Sequence, residues 1–241
     1  SWLPRDAESD GWVDFAAREI SAEILHQFNP DGSNFESSVC YHRFAAEMAA
    51  FGLATLAGQN ANIPNLSLVV ERLARAGEFL RDLTKPSARL AQIGDNDSGR
   101  FFKLHPVAEE NSLDPRPTLA ALAALTGRSD LRLEPGEWLD ADLVSSLAGG
   151  KRFVAEGPRD AARNVRVAES AAAPGHGSVQ EIAIVVPGGG LLEGLASLAY
   201  PDFGVWLFRS SRLFLAIRCG AIGRDGRGAH AHNDQLAIEV A

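Results

Sequence analysis

Apolar positions recur at helical spacing along the first half of the chain. Val13, Ala16, Ala17, Ile20 and Ile24 form one stripe, Tyr41, Phe44, Ala45, Met48 and Gly52 a second, and Leu66, Val69, Val70, Leu73, Gly77 and Leu80 a third. Each stripe predicts an amphipathic helix turned toward a core. Asn65, just after Pro64, is the expected N-cap of the third helix, Lys85-Pro86 its stop, and Gly58 the close of the second. Shorter helices are expected over 118–125 and 137–147, so residues 12–149 read as all-α, with antiparallel helices joined by loops. After Gly149-Gly150 the pattern changes to short β-like runs at 152–154, 165–167 and 179–186, broken by Gly and Pro, with 171–175 as a loop or linker. Residues 203–209 and 213–218 then alternate at period two, with Val205, Leu207 and Arg209 on one face, Trp206 and Phe208 on the other, and a turn at Ser210-Ser211. Leu236, Ile238 and Val240 predict a further strand. Helices followed by strands, without βαβ alternation, imply an α+β protein with an antiparallel sheet.

The chain has 241 residues, 46% of them hydrophobic and 22% charged, which suits a globular protein and not a disordered one. A net charge of -8 removes any whole-molecule attraction to nucleic acid or anionic lipid, so an acidic ligand requires a locally basic cleft. No apolar stretch approaches the roughly 20 residues of a membrane span. Two cysteines, Cys40 and Cys219, are too few for a disulfide framework and leave the compartment undecided. The start without Met and the end inside a strand-like run lead us to expect both ends to lie within a longer protein.

Chemistry concentrates near the C-terminus. Gly228-Ala-His230-Ala-His232-Asn-Asp234-Gln235 follows a glycine- and arginine-rich run, and in an extended segment His230, His232 and Asp234 face one way, toward one metal ion or one proton in transfer. The same cluster also reads as surface histidines in a polar hairpin. A second concentration, residues 29–43, contains a Pro-Asp-Gly turn, a Ser33/Glu36 pair at capping-box spacing, and Tyr41-His42-Arg43, a phenol, an imidazole and a guanidinium within one turn. Tyr41 reads equally as an acid–base group and as a core-rim residue. Residues 93–100 resemble an acidic cation loop without its later ligands, and a polar turn is the expectation there. Pro187-Gly188-Gly189-Gly190 has no Gly-Lys-Ser/Thr, and no G-x-S-x-G elbow or basic aromatic patch supports a serine hydrolase or a nucleic-acid module.

Taken in order, residues 27–42 (Q-x-x-P-D-G-x-x-x-E-x-S-x-x-Y-H), the Gly94-Asp95-Asn96-Asp97 loop and residues 230–239 (H-x-H-x-D-x-L-x-x-E) resemble the heparinase II/III-type polysaccharide lyases. The resemblance implies an (α/α) toroid-type helical part over 1–150, a connecting segment over 151–200 and the first strands of a β-sandwich over 201–241, with a cleft between helices and sandwich. It implies β-elimination on a uronate-containing acidic polysaccharide, glycosaminoglycan or alginate-like, and favours a periplasmic or secreted setting. By position in the motifs, Tyr41 and His230 are the expected proton-transfer pair. His232 is an expected ligand of a structural zinc ion whose other ligands would fall beyond Ala241, and Asp234 would orient an imidazole. Asn34, His42, Arg43, Arg89 and Arg100 are the candidates for holding substrate, the arginines through carboxylate or sulfate groups. The family's carboxylate-neutralising Asn belongs to a helix upstream of the part resembled, and Asn34 does not occupy its motif. Two rival classes remain: a zinc metallohydrolase using the H-x-H-x-D cluster, and a non-catalytic carbohydrate-binding or assembly module.

Overall fold

The computed structural model describes residues 6–97, 99–104, 111–158, 190, 192–221, 226–228, 230–232 and 236–241. Five helices precede a four-stranded antiparallel sheet: α1 (Ala7–Gln27), α2 (Val39–Gly58), α3 (Leu66–Asp82), α4 (Arg116–Thr126), α5 (Leu139–Leu147), then β1 (Ala196–Tyr200), β2 (Val205–Arg209), β3 (Phe214–Arg218) and β4 (Ala237–Val240). The expected strand at 152–154 is instead irregular chain along the end of α4, where Phe153 and Ala155 give their N–H groups to Leu125 and Thr126. The runs expected at 165–167 and 179–186 lie outside the described residues. No helix among the described residues is long and apolar enough to cross a membrane.

Local chemistry accounts for most helix ends. Asp6 and Ser9 form a reciprocal capping box at the start of α1, with Glu8 and Asp10 near its positive end and His26 near its negative end. Arg72 of α3 donates to the carbonyls of Leu25 and Phe28, which supplies partners to the last turn of α1. The capping box expected at Ser33/Glu36 does not form, because Ser33 bonds to Asp31 in the preceding turn and Ser38 caps α2 through the Tyr41 N–H at 3.2 Å. Asn65 occupies the N-cap position of α3 in a left-handed conformation, without a side-chain cap bond. Gly58 lies inside the last turn of α2, and the left-handed residue after the helix is Asn60. What Gly58 provides is close approach, since a Cβ there would stand 2.0 Å from the Leu147 carbonyl oxygen of α5.

The stripes of α1 and α3 point inward as the spacing predicts, with Ala17, Ile24, Val69, Val70, Leu73 and Leu80 buried. The stripe expected on α2 does not. Met48 is 37% exposed, and the enclosed side carries Val39, Ala46, Ala50, Phe51, Leu53, Ala54 and Leu56 together with His42, Arg43 and Glu47. Three polar residues on the buried side break the apolar period, which is why the pattern selected the wrong face.

The sheet is a meander in which each strand pairs with the next. It begins at Ala196, a few residues before the expected start at 201, and the β2–β3 turn centres on Ser211-Arg212, one residue later than expected. Arg209 pairs with Phe214, and the Ser210 N–H and side chain close the loop. The inner face buries Val205, Leu207, Phe214 and Ala216. It rests on the C-terminal end of α3, where fully buried Phe79 meets Tyr200 edge-on at 4.8 Å and Phe203 at 5.0 Å between ring centroids. Polar links surround this contact. Tyr200 donates to Asp82 at 2.7 Å, Arg209 to the Asp82 carbonyl at 2.6 Å, and Glu239 accepts from Lys85 at 2.5 Å and from the Gln92 N–H at 2.7 Å.

Candidate active site

The segment from Gln27 to His42 folds as three short devices. Asp31 accepts from the Ser33 N–H and hydroxyl with one carboxylate oxygen and from the Asp202 N–H, at 3.0 Å, with the other, so the Pro-Asp-Gly turn anchors the loop between β1 and β2. Ser38 starts α2. Tyr41, one turn into that helix, is half-buried and reaches the chain that precedes β4.

There the His230 imidazole lies on the Tyr41 ring, with centroids 3.6 Å apart and planes 13° from parallel. Asp95 brings the third group. Its carboxylate takes His230 Nδ1 at 2.8 Å on one oxygen and contacts His232 Nε2 with the other. Its backbone N–H donates to the His230 carbonyl at 2.9 Å, and its own carbonyl accepts from the Ser38 hydroxyl at 2.7 Å. Gly94 makes this junction sterically feasible: at φ +75° a Cβ would lie 2.5 Å from the His230 oxygen and 2.7 Å from Ser38 Cβ. Helix start, acidic loop and histidine loop therefore meet at one point.

Electrostatics follow from this packing. The hydrogen bond from His230, with the adjoining His232 and His230 imidazoles, holds the Asp95 carboxyl below its ordinary value. Partial burial, a hydrogen bond to Asp97 and the negative charges of Asp97, Asp95 and Glu36 raise the Tyr41 phenol above its ordinary value of 10.0. Tyr41 thus stays protonated at neutral and moderately alkaline pH, as a proton donor must.

The residues expected to hold substrate have mostly other partners. His42 is fully buried, its Nε2 donating to the Ala76 carbonyl at 2.9 Å and its ring enclosed by Phe28 and Phe79, and burial lowers its pKa to about 4. Arg43 is fully buried against Glu47 at 2.8 Å and donates to the Gly99 carbonyl at 2.6 Å. Arg100 bonds to Thr118 and the Asn111 carbonyl and stands 3.6 Å from Glu47. Asn34 is 1% exposed and caps a turn through the Glu36 N–H. Of the five, Arg89 alone is exposed. For the two arginines, Arg43 and Arg100, burial requires a compensating carboxylate, and for Asn34 and neutral His42 it requires a hydrogen-bond partner, so these four side chains face internal groups.

His232 is exposed and touches Asp95, whereas Asp234 lies outside the described residues. Because Asp95 gives one oxygen to each imidazole, the three side chains form a hydrogen-bonded row and do not converge on a point. Among the described residues no group of three or more His, Cys, Asp or Glu is arranged to hold a metal ion. A zinc ion at His232 would need donors from elsewhere. Asp95 and Asp97 lie in a loop that carried part of the family resemblance, but neither was expected as a site residue. The available signal was the Gly-Asp-Asn-Asp loop, which a polar-turn expectation absorbed.

Residues 1–104 match the family model described as heparinase II/III N-terminus, a span that contains Tyr41, Asp95 and Asp97 and excludes the histidine loop. No curated protein and no solved structure matches the chain. The first 104 residues are thus similar to the N-terminal part of heparinase II/III-type proteins.

Proposed function

We propose that the chain belongs to a polysaccharide lyase that cleaves a uronate-containing acidic polysaccharide by β-elimination, with Tyr41 and His230 as its proton-transfer groups. The observation that carries this reading is the parallel stack of the phenol from α2 on the imidazole before β4, two groups far apart in sequence and suited to proton transfer at adjacent atoms. In the proposed step a base takes the C5 proton, the electron pair forms the C4–C5 double bond, and the C4–O bond breaks with its electrons on the leaving oxygen. Tyr41, kept protonated by its surroundings, gives that oxygen a proton. His230 takes the base or carboxylate-contact role. Removing a proton beside a carboxylate builds further negative charge, so the substrate carboxylate must be neutralised by a donor or cation. Buried Asn34 and Arg43 and the internally bonded Arg100 do not serve, and Arg89 is the exposed arginine we retain for substrate.

The finer architecture is part of the same proposal: the helices as a portion of an (α/α) toroid and the sheet as the first layer of a β-sandwich. The outer sheet face supports it, because Trp206, Ile217 and Ile238 align across three strands, as do Phe208, Leu215 and Val240. An apolar row of that kind fits a second sheet packed face to face.

Incubation with a panel of uronate polymers, following the ultraviolet absorbance of the unsaturated uronate product, tests the reading. Elimination is expected, with Tyr41→Phe and His230→Ala each slowing turnover by about 100-fold or more. New reducing ends without unsaturation would assign hydrolysis instead, and full activity in both variants would remove the pair from the chemistry.

A further inference from the structure

We propose that Asp95 is the positioning residue of this site, holding the His230 ring in the tautomer that carries its proton on Nδ1 and leaves the lone pair on Nε2. The inference deepens the lyase reading and rests on it only for its kinetic arm. A carboxylate accepts hydrogen bonds and donates none, so the 2.8 Å contact to His230 requires the proton on Nδ1. Two bonds run between the same two residues in opposite directions, the Asp95 N–H to the His230 carbonyl and the His230 ring to the Asp95 carboxylate, and together they fix both backbone and ring. The other Asp95 oxygen lies against His232, which sets the rotation of the carboxylate. Tyr41 fixes the plane of the His230 ring from its face, and Ser38 holds the Asp95 carbonyl from the start of the same helix. A ring flip would break the carboxylate bond and leave Asp95 facing carbon, so the assembly selects one orientation and one tautomer. His230 Nε2 is then the ring nitrogen able to take a proton from a substrate carbon.

Nitrogen-15 spectra of the 241-residue chain, recorded at mildly alkaline pH with a chelator, report the tautomer directly. The wild type is expected to show His230 protonated at Nδ1. Asp95→Ala retains the backbone bonds of residue 95 and is expected to shift His230 to the Nε2-protonated form. On a uronate polymer, Asp95→Ala should lower kcat by about 10- to 100-fold with KM changed by less than about twofold, and the double variant with His230→Ala should be no slower than His230→Ala alone. A wild-type ring protonated at Nε2, an unchanged tautomer in Asp95→Ala, or losses that multiply in the double variant would overturn the assignment. A wild type that holds the Nδ1 tautomer but eliminates no uronate supports the positioning role and overturns the lyase reading.

Discussion

Two histidines, one a catalytic candidate and the other the sequence neighbour of Tyr41, have opposite physical characters here. His230 is partly exposed and bonded to a carboxylate, whereas His42, the neighbour of Tyr41, is enclosed by Phe28, Phe79 and the Ala76 carbonyl. Burial disfavours the charged ring, so the folded value near 4 lies below the ordinary 6.5. Between these values the unfolded chain binds the extra proton, and stability therefore rises with pH across the window and is lost as pH falls from about 6.5 to about 4. The loss is roughly 3 kcal/mol once both states are protonated. His42→Phe removes the titration and the bond to Ala76, at a cost of about 1 kcal/mol at neutral pH. Urea melts at several pH values should give a shallower slope for the variant in this window, and equal slopes would contradict the account. Arg43 and Glu47, one turn further along the buried side of α2, pose a related problem of charge. Burial raises the Glu47 carboxyl, opposed by Arg43 and Arg100, so truncating one partner leaves an uncompensated charge. Arg43→Met is expected to cost about 3–5 kcal/mol in denaturant melts, and Arg43→Met with Glu47→Leu to recover most of that loss.

At the scale of elements, the site depends on three loops held by backbone bonds. Val39 donates to the Ile93 carbonyl, Asp95 to that of His230, and the Ser38 hydroxyl to that of Asp95, so the start of α2, residues 93–95 and the histidine loop form one junction. Gly94→Ala adds a methyl group into that junction at a positive φ, and neither the His230 backbone nor Ser38 can yield without breaking one of these bonds. We expect faster hydrogen exchange at the Asp95 amide, with the amides inside α3 protected as in the wild type, and unchanged Asp95 exchange would show that the junction relaxes. This junction also marks the limit of what the sequence made legible. The Tyr41 and His230 motifs stood out because their residue types are chemically reactive and closely spaced. Asp95 did not, because a Gly-Asp-Asn-Asp run also suits a plain turn, and only the approach of a segment 135 residues away gives its carboxylate a partner. The same limitation explains α2: helical spacing marks an apolar stripe, whereas this helix buries ion pairs and a neutral imidazole on the side that the stripe left polar. On α1 and α3 the predicted apolar stripes do turn inward, because there the buried polar residues, Ser21, Glu78 and Asp82, leave the apolar period unbroken.

Over the whole molecule, the question is whether helices and sheet unfold together. Their contact is centred on Phe79, whose ring touches His42 of the helical core as well as Tyr200 and Phe203 of the sheet region, and one buried side chain therefore belongs to both parts. The bond from Tyr200 to Asp82 adds a hydrogen bond to a charged acceptor in a site where burial pushes the phenol well above its usual range. Asp82 is held from its other side by Arg81, which also reaches Asp130, and Asp130 pairs with Arg128, which pairs with Glu78. The sheet is thus tied to a charged network that runs along α3. Tyr200→Phe preserves the ring contact with Phe79 and removes only the hydroxyl, so its expected cost is about 1.5–3 kcal/mol, the range for a hydrogen bond to a charged group. If the two parts form one cooperative unit, that cost must appear equally in the melting of the helices, followed by circular dichroism, and in the exchange of the β2 and β3 amides, although the substitution lies in β1. Loss of protection confined to the strands, with the helical transition unmoved, would show instead that the sheet opens on its own and that the Tyr41–His230 contact opens with it.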